Sequence, residues 1–280
     1  MRHFLSTLVF LVMLCTLFVA CGSTTTTGST STPTSTAAPS ITLNVFAAAS
    51  LTESFTEIGM QYQKVHANIT VKFNFVGTPT LLQQLMNGAS ADVFASADEA
   101  NMKKASDGGL VGDSQVFVKN KLVVIVPTAN PGGFNTLKDL ARPGIKIDIE
   151  NTNVPAGKYS RQVLDKMSQS PDYGPNYEKA VLGNIVSQED NVKAVVTKVQ
   201  LGEVDAGFVY ETDVTAAVSN KVKVINIPDT FNVIAQYPIA VVKNSAHRSD
   251  AQMFIQYVLS PTGQTILTKY HFIGVSGYGQ

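Results

Sequence analysis

The sequence predicts an α/β chain whose folded part forms two lobes facing each other across a ligand cleft. Three observations lead there. From residue 41 onward, short apolar runs of strand type alternate with stretches of helical periodicity, the pattern of parallel strands with helices on their faces. Residues 41–280 are long enough for two lobes at ~100–200 residues per domain. Several strands also run through small or hydroxyl residues directly into a helix start. That places free backbone N–H groups at the carboxyl ends of strands, where open α/β sheets bind ligands.

The chain before residue 41 is read separately. Arg2 is followed by an uncharged run from Phe4 to Ala20, and Leu17-Phe18-Val19-Ala20-Cys21 resembles a bacterial lipoprotein signal in which Cys21 is lipidated. Residues 1–21 are therefore expected to be a lipoprotein signal peptide, with an uncleaved anchor as the alternative. Either way the protein is exported and held at the outer face of the cell membrane. Residues 22–40 contain thirteen Ser/Thr, two Pro and no charge. Such a stretch cannot bury a core and reads as a disordered tether.

The folded part opens with an apolar strand over 41–49 that ends in Ala47-Ala48-Ala49, then Ser50-Leu51-Thr52-Glu53, which has the form of a capping box. Helix 51–65 carries Leu51, Phe55, Ile58, Tyr62 and Val65 on one face. Ile69–Val76 alternates as a strand. Thr78 then reads as an N-cap, with Pro79 at the first helical position. Ala91–Asp98 is a third strand and turn, with Asp98 ahead of helix 99–106.

Leu122–Pro127 is a dense apolar strand taken as the first crossing between lobes. Ile145–Ile149 is a strand, Val154-Pro155-Ala156-Gly157 enters helix 156–168, and Val192, Val195, Val196 and Val199 share one face of a later helix. Val204–Tyr210 and Pro238–Val242 are strands, the second taken as the return crossing. Helices near 249–259 and 262–270 close the chain. This assigns 41–121 and 239–280 to lobe 1 and 122–238 to lobe 2.

Composition excludes several classes of function. Lys+Arg and Asp+Glu number 21 each, and loss of Arg2 with the signal leaves 20 against 21. This balance lacks the basic surface that nucleic acid requires. The two cysteines, Cys15 and Cys21, both lie in the signal, which removes disulfides, thiol catalysis and cysteine metal sites from the folded part. His3, His66, His247 and His271 have no metal spacing. Gly274-Val275-Ser276-Gly277 misses the nucleophile-elbow pattern, and no dinucleotide or phosphate-loop motif is present. Asp92 and Asp98 suit turn and cap roles better than acid–base catalysis. No enzyme and no cofactor are expected.

Five positions at strand ends or helix starts offer donors without charge: Ser50, Thr78, Ala156, Val192 and Tyr210. Separately, they read as caps, early helix residues and a strand-end aromatic. Brought together across a cleft, their hydroxyls and backbone N–H groups would supply donors and no acceptors, which suits a fully ionised oxyanion. Hydrogen bonds to a charged group contribute ~1.5–3 kcal/mol each, so several approach the ~8 kcal/mol of a micromolar complex.

The segments Val45–Thr52, Ala91–Asp98, Val154–Gly157, Gly207–Tyr210 and Tyr237–Val241 stand in an order that resembles the periplasmic molybdate-binding proteins of ABC transporters. The resemblance covers essentially all of 41–280. It implies a two-lobed type II periplasmic-binding-protein fold with two crossing strands and a tetrahedral molybdate or tungstate held between the lobes. It implies that Ser50 donates its hydroxyl and N–H, Thr78 its hydroxyl in a place usually held by serine, Ala156 and Val192 their backbone N–H groups, and Tyr210 its phenol. No protein atom would ligate molybdenum directly. The implied partners are a permease and its ATPase, the anion and, through the lipid on Cys21, the membrane; a monomer is expected. Selectivity would follow from cavity size, and hydrogen phosphate would bring a proton that no acceptor receives. The alternative is the same fold serving sulfate, phosphate or an organic acid.

Overall fold

The computed structural model describes residues 39–275, which fall in one compact unit. The signal segment with Cys21, and all but the last two residues of the tether, fall outside the described residues. No helix among the described residues is long and apolar enough to cross a membrane.

The first sheet begins with β1 (Ile41–Ala48), α1 (Thr52–Val65), β2 (Ile69–Val76), α2 (Thr78–Met86), β3 (Val93–Ala95) and α3 (Glu99–Asp107). The two-residue period of β1 sorts its side chains between two cores. Leu43, Val45 and Ala47 face Phe55, Ile58 and Tyr62 of α1, while Phe46 faces Leu81, Leu82, Leu85 and Met102 of α2 and α3. The α1 side is dense in aromatics, with Phe55 and Phe117 centroids 5.6 Å apart and Tyr62 edge-on to Phe254 at 5.3 Å.

β4 (Val111–Asn120) continues the first sheet, and after Lys121 the chain enters the second as β5 (Leu122–Pro127). There follow β6 (Ile147–Glu150), α4 (Pro155–Ser168), α5 (Tyr177–Gly183), β7 (Ile185–Glu189), α6 (Val192–Leu201), β8 (Ala206–Tyr210) and β9 (Val222–Asn226). The chain returns through 227–234 to β10 (Ala235–Val242), then α7 (Arg248–Leu259), α8 (Pro261–Lys269) and β11 (Ile273–Gly274). Strand orders are β11-β4-β10-β3-β1-β2 and β7-β6-β8-β5-β9.

Two expectations change here. The sheets are mixed rather than wholly parallel. β10 runs antiparallel to β3 and β4, and β5 runs antiparallel to β8 and β9. The strands that enter a sheet from the other lobe arrive without a helical crossover, so nothing forces them parallel. The return also occurs earlier than the proposed boundary at 239: β10 belongs to the first sheet from Ala235, where it pairs with Asn120.

The two passages between sheets are tied together. The Asn232 side chain accepts from Leu122 N at 3.1 Å and donates to Leu122 O at 2.8 Å, so the returning chain is stitched to the first residue of β5. Asn232 is buried, and these bonds satisfy both sides of its amide.

Candidate functional site

The site is built at the carboxyl ends of β1, β2 and β3 on one side and of β6, β7 and β8 on the other. On the first side, β1 ends in alanines and the chain makes one 3-10 turn, Ala49–Leu51, before α1. The expected capping box does not form. The N-cap of α1 is Leu51 and makes no side-chain cap bond. The Ser50 hydroxyl instead lies 2.9 Å from Tyr237 Oη, contributed by β10. Asn120 Nδ2 donates to Tyr237 Oη at 3.3 Å and to Thr212 Oγ1 at 2.9 Å. Because Tyr237 Oη accepts from Asn120, its own proton can go to Ser50 Oγ, which leaves the Ser50 proton to donate outward.

The second loop differs by one position from expectation. Gly77 is the N-cap of α2, Thr78 is its first residue and Pro79 its second. Thr78 Oγ1 accepts from Ala97 N at 3.1 Å, so β2 and β3 lock the hydroxyl oxygen and leave its proton to donate.

On the opposite side, α4 begins at Pro155, where proline costs no hydrogen bond, and presents the N–H groups of Ala156 and Gly157. Val192 opens α6 beneath an Asn191 cap that accepts from Ala194 N at 3.1 Å. Tyr210 ends β8. It is 2 % exposed and its Oη has no hydrogen-bond partner among the described residues. Burial raises this phenol well above its usual range, so it acts as a donor, never as an anion.

These groups meet. Ser50, Thr78, Val192 and Tyr210 line one cavity together with Ala48, Ala49, Gly77, Ala97, Val154 and Pro155. Its volume is about 10 Å³, room for one water and too small for a tetrahedral oxyanion. Ala156 is not on the wall; it sits behind Pro155 with its N–H turned to another partner. The two sides touch: a Cβ on Gly77 would overlap the Asp190 carbonyl oxygen.

That other partner is Glu150, the eleventh residue of the wall. Its Oε2 accepts from Ala156 N at 2.8 Å and from Gly157 N at 3.3 Å. The wall therefore contains an acceptor, which corrects the expectation of donors alone. Among the described residues no cation pairs with the Glu150 carboxyl. Burial, with Asp213 and Asp98 adding to it against the two amides, pushes it up to about 8. In the sequence Glu150 is a single acid at a strand end, and only the fold of 151–154 back toward β6 brings it under the start of α4.

The bacterial extracellular solute-binding protein family matches residues 43–273. This chain belongs to that family. Among curated relatives, the molybdate-binding protein ModA of Mycobacterium tuberculosis is 35% identical over 229 residues, 81% of this chain and 83% of that one. YvgL of Bacillus subtilis, a lipoprotein assigned as an ABC-transporter substrate-binding protein, is 35% identical over 237 residues, 83% of this chain and 86% of that one. The solved substrate-binding domain assigned to a molybdenum ABC transporter of Clostridium difficile superimposes with a TM-score of 0.63 at 31% identity, covering 85% of this chain and all of that one. The sulfate-binding protein SubI of M. tuberculosis superimposes with a TM-score of 0.76 at 15% identity, covering 85% and 88%, and shows the shared fold alone.

In this solute-binding protein the lysine that follows the wall residue Val192 is already occupied. Lys193, next to Val192, pairs with Glu53 of α1 at 2.8 Å and with Asp213 at 3.2 Å. Burial alone would depress the ammonium, but Asp213 and Glu53 outweigh it and hold it above its ordinary value. Asp213 is fully buried, accepts from Tyr210 N at 3.1 Å, and is itself held up by burial against the pull of Lys193. The network ties α1 of the first lobe to α6 and the end of β8, and it places no positive charge on the wall. Among the described residues no group of three His, Cys, Asp or Glu could hold a metal ion. What the wall can do is donate hydrogen bonds from two hydroxyls, a phenol and helix N-termini to a small anion.

Proposed function

We propose that this chain captures molybdate or tungstate between its lobes and delivers it to an ABC importer, without turnover of its ligand. The observation that carries the reading is Tyr210, whose buried Oη makes no hydrogen bond among the described residues and which lines a cavity whose other donors, Ser50, Thr78 and the start of α6, come from both lobes. A buried donor left unmade costs ~1–3 kcal/mol, a cost an incoming acceptor removes. The 35% identity to a molybdate-binding protein supports the choice of anion, and the likeness to YvgL supports export and an anchor through a lipidated Cys21. The working form is a monomer that meets a permease and its ATPase.

The test is thermal unfolding and titration calorimetry of the purified protein with molybdate, tungstate, sulfate and phosphate. A ligand present at 100 times its dissociation constant stabilises by ~2.7 kcal/mol. The expected result is a raised midpoint with molybdate and tungstate, and none with sulfate. Binding of an organic acid or sulfate in their place would overturn the assignment. Glu150 favours a second reading, since its carboxyl offers an acceptor oxygen to the proton of hydrogen phosphate. Displacement of bound molybdate by a modest phosphate excess would establish that reading instead.

A further inference from the structure

We propose that Glu150 is a specificity-determining residue whose carboxyl holds the α4 amides an oxyanion needs, so that a dianion enters only as Glu150 gives up those amides and keeps, or takes from solvent, one proton. This rests on the oxyanion reading above and extends it to the chemistry of the wall.

The geometry has three parts. First, the Glu150 carboxyl and an incoming anion compete for the same donors. Oε2 is seated on Ala156 N and Gly157 N at the start of a 14-residue helix, where backbone N–H groups and the helix dipole favour negative charge. Second, the space left beside the carboxyl, about 10 Å³, is too small for a tetrahedral ion, and Ala156 lies outside its wall, so the carboxyl stands between such an ion and Ala156 N. Third, the unpartnered Tyr210 Oη in the same wall marks the cavity as a ligand position rather than a finished core.

The charge balance follows from what surrounds Glu150. Asp98, at the cap of α3, and Asp213, beyond β8, both repel it; Lys193 is spent on Asp213 and Glu53. Arg161 of α4 bonds the Glu150 backbone carbonyl at 3.3 Å rather than the carboxyl. The phenols of Tyr210 and Tyr159 stay neutral, raised by burial. An ionised Glu150 beside a dianion would be two like charges in one buried space, which cannot both persist. The carboxylate therefore takes a proton from bulk water, becomes a neutral acid and can turn its O–H toward the anion as a further donor. Burial already holds this carboxyl up to about 8. Below that pH the acid form is in place and binding needs no proton; above it, each anion bound brings one proton in.

The experiment is molybdate calorimetry on the purified protein from pH 6.5 to 9.5, in pairs of buffers with different ionisation enthalpies, for the wild type and Glu150→Gln. Expected for the wild type is a flat dissociation constant up to about pH 8. Above that it should rise toward tenfold per pH unit, with close to one proton taken up per anion at pH 9 and none at pH 6.5. Glu150→Gln should lose the slope and the proton uptake, and Glu150→Asp should restore both. A wild type that binds with no slope and no uptake, or a Gln variant that keeps them, overturns the role of Glu150 and leaves the oxyanion reading intact. If no oxyanion binds the wild type at any pH, the functional reading fails and this inference with it. If the Gln variant does not fold, wild-type uptake at pH 9 decides alone, since an uptake of zero refutes the proposal.

Discussion

Removing one oxygen from Tyr210 should move stability and affinity in opposite directions. In the protein as folded, Tyr210 Oη is buried and makes no hydrogen bond among the described residues. Tyr210→Phe deletes a group that carries an uncompensated desolvation cost of ~1–3 kcal/mol while keeping the ring packed edge-on to Tyr237, at a centroid distance of 5.8 Å. The variant without ligand should therefore be more stable, with a midpoint higher by about 2–4 °C per kcal/mol for a domain of this size. With the anion in place the same oxygen donates to a charged acceptor, worth ~1.5–3 kcal/mol, so its loss should raise the dissociation constant by about 10–150-fold. Denaturation without ligand gives the first quantity and calorimetry with molybdate the second. A variant that binds within twofold of the wild type, or one that loses stability and affinity together, would show that the phenol is a packing group and refute the argument.

Gly77→Ala places a Cβ against the Asp190 carbonyl across the cleft; at the ~1–3 kcal/mol of overpacking, calorimetry should find binding weaker by about 5–150-fold. Lys193→Met leaves the fully buried Asp213 without its cation. Urea denaturation should show a loss of ~3 kcal/mol, the low end for a broken buried pair because the lysine is itself 28% exposed. Adding Asp213→Asn should recover most of it. Asp148 is buried with both carboxyl oxygens unpartnered among the described residues, and burial, then Glu189, push it up to about 6 from 3.8. Its raised value means the fold holds the proton to higher pH than the unfolded chain, so wild-type stability drops as pH rises through that window. Asp148→Asn should therefore be more stable by ~3 kcal/mol at pH 7.5, with the gain vanishing near pH 4.

Strands with a strong local signal were legible. Ile69–Val76 and Leu122–Pro127 form where their apolar patterns place them, the cap at Asp98 opens α3 as its chemistry predicts, and α4 begins at Pro155, one residue before the expected start at 156. β4 was not, because its first half, Val111–Gln115, mixes glycine and polar residues and pairs only through β10. β7 and β9 lie at the two edges of their sheet, where one side of the ladder is open and the apolar pattern is weak. At the site, Ser50, Thr78, Val192 and Tyr210 could be named because each sits where a strand meets a helix or ends. The partner of Ser50 could not, since Tyr237 lies 187 residues away. Nor could Glu150, whose meaning depends on α4 folding over it. Capping rules are local, and the hydroxyl of Ser50 was taken by a partner that only the tertiary fold supplies.

The Asn232 stitch has a mechanical consequence. The two strands of chain that connect the sheets do not act as separate tethers: through Leu122 they are fastened side by side at one point. Two bodies joined along a single narrow seam can swing but cannot slide past each other. Opening is thereby reduced to one angle, and every residue on the rim travels on a fixed arc. A separation of the lobes at the cavity would then appear directly at Gly77 and Asp190, which face each other across it.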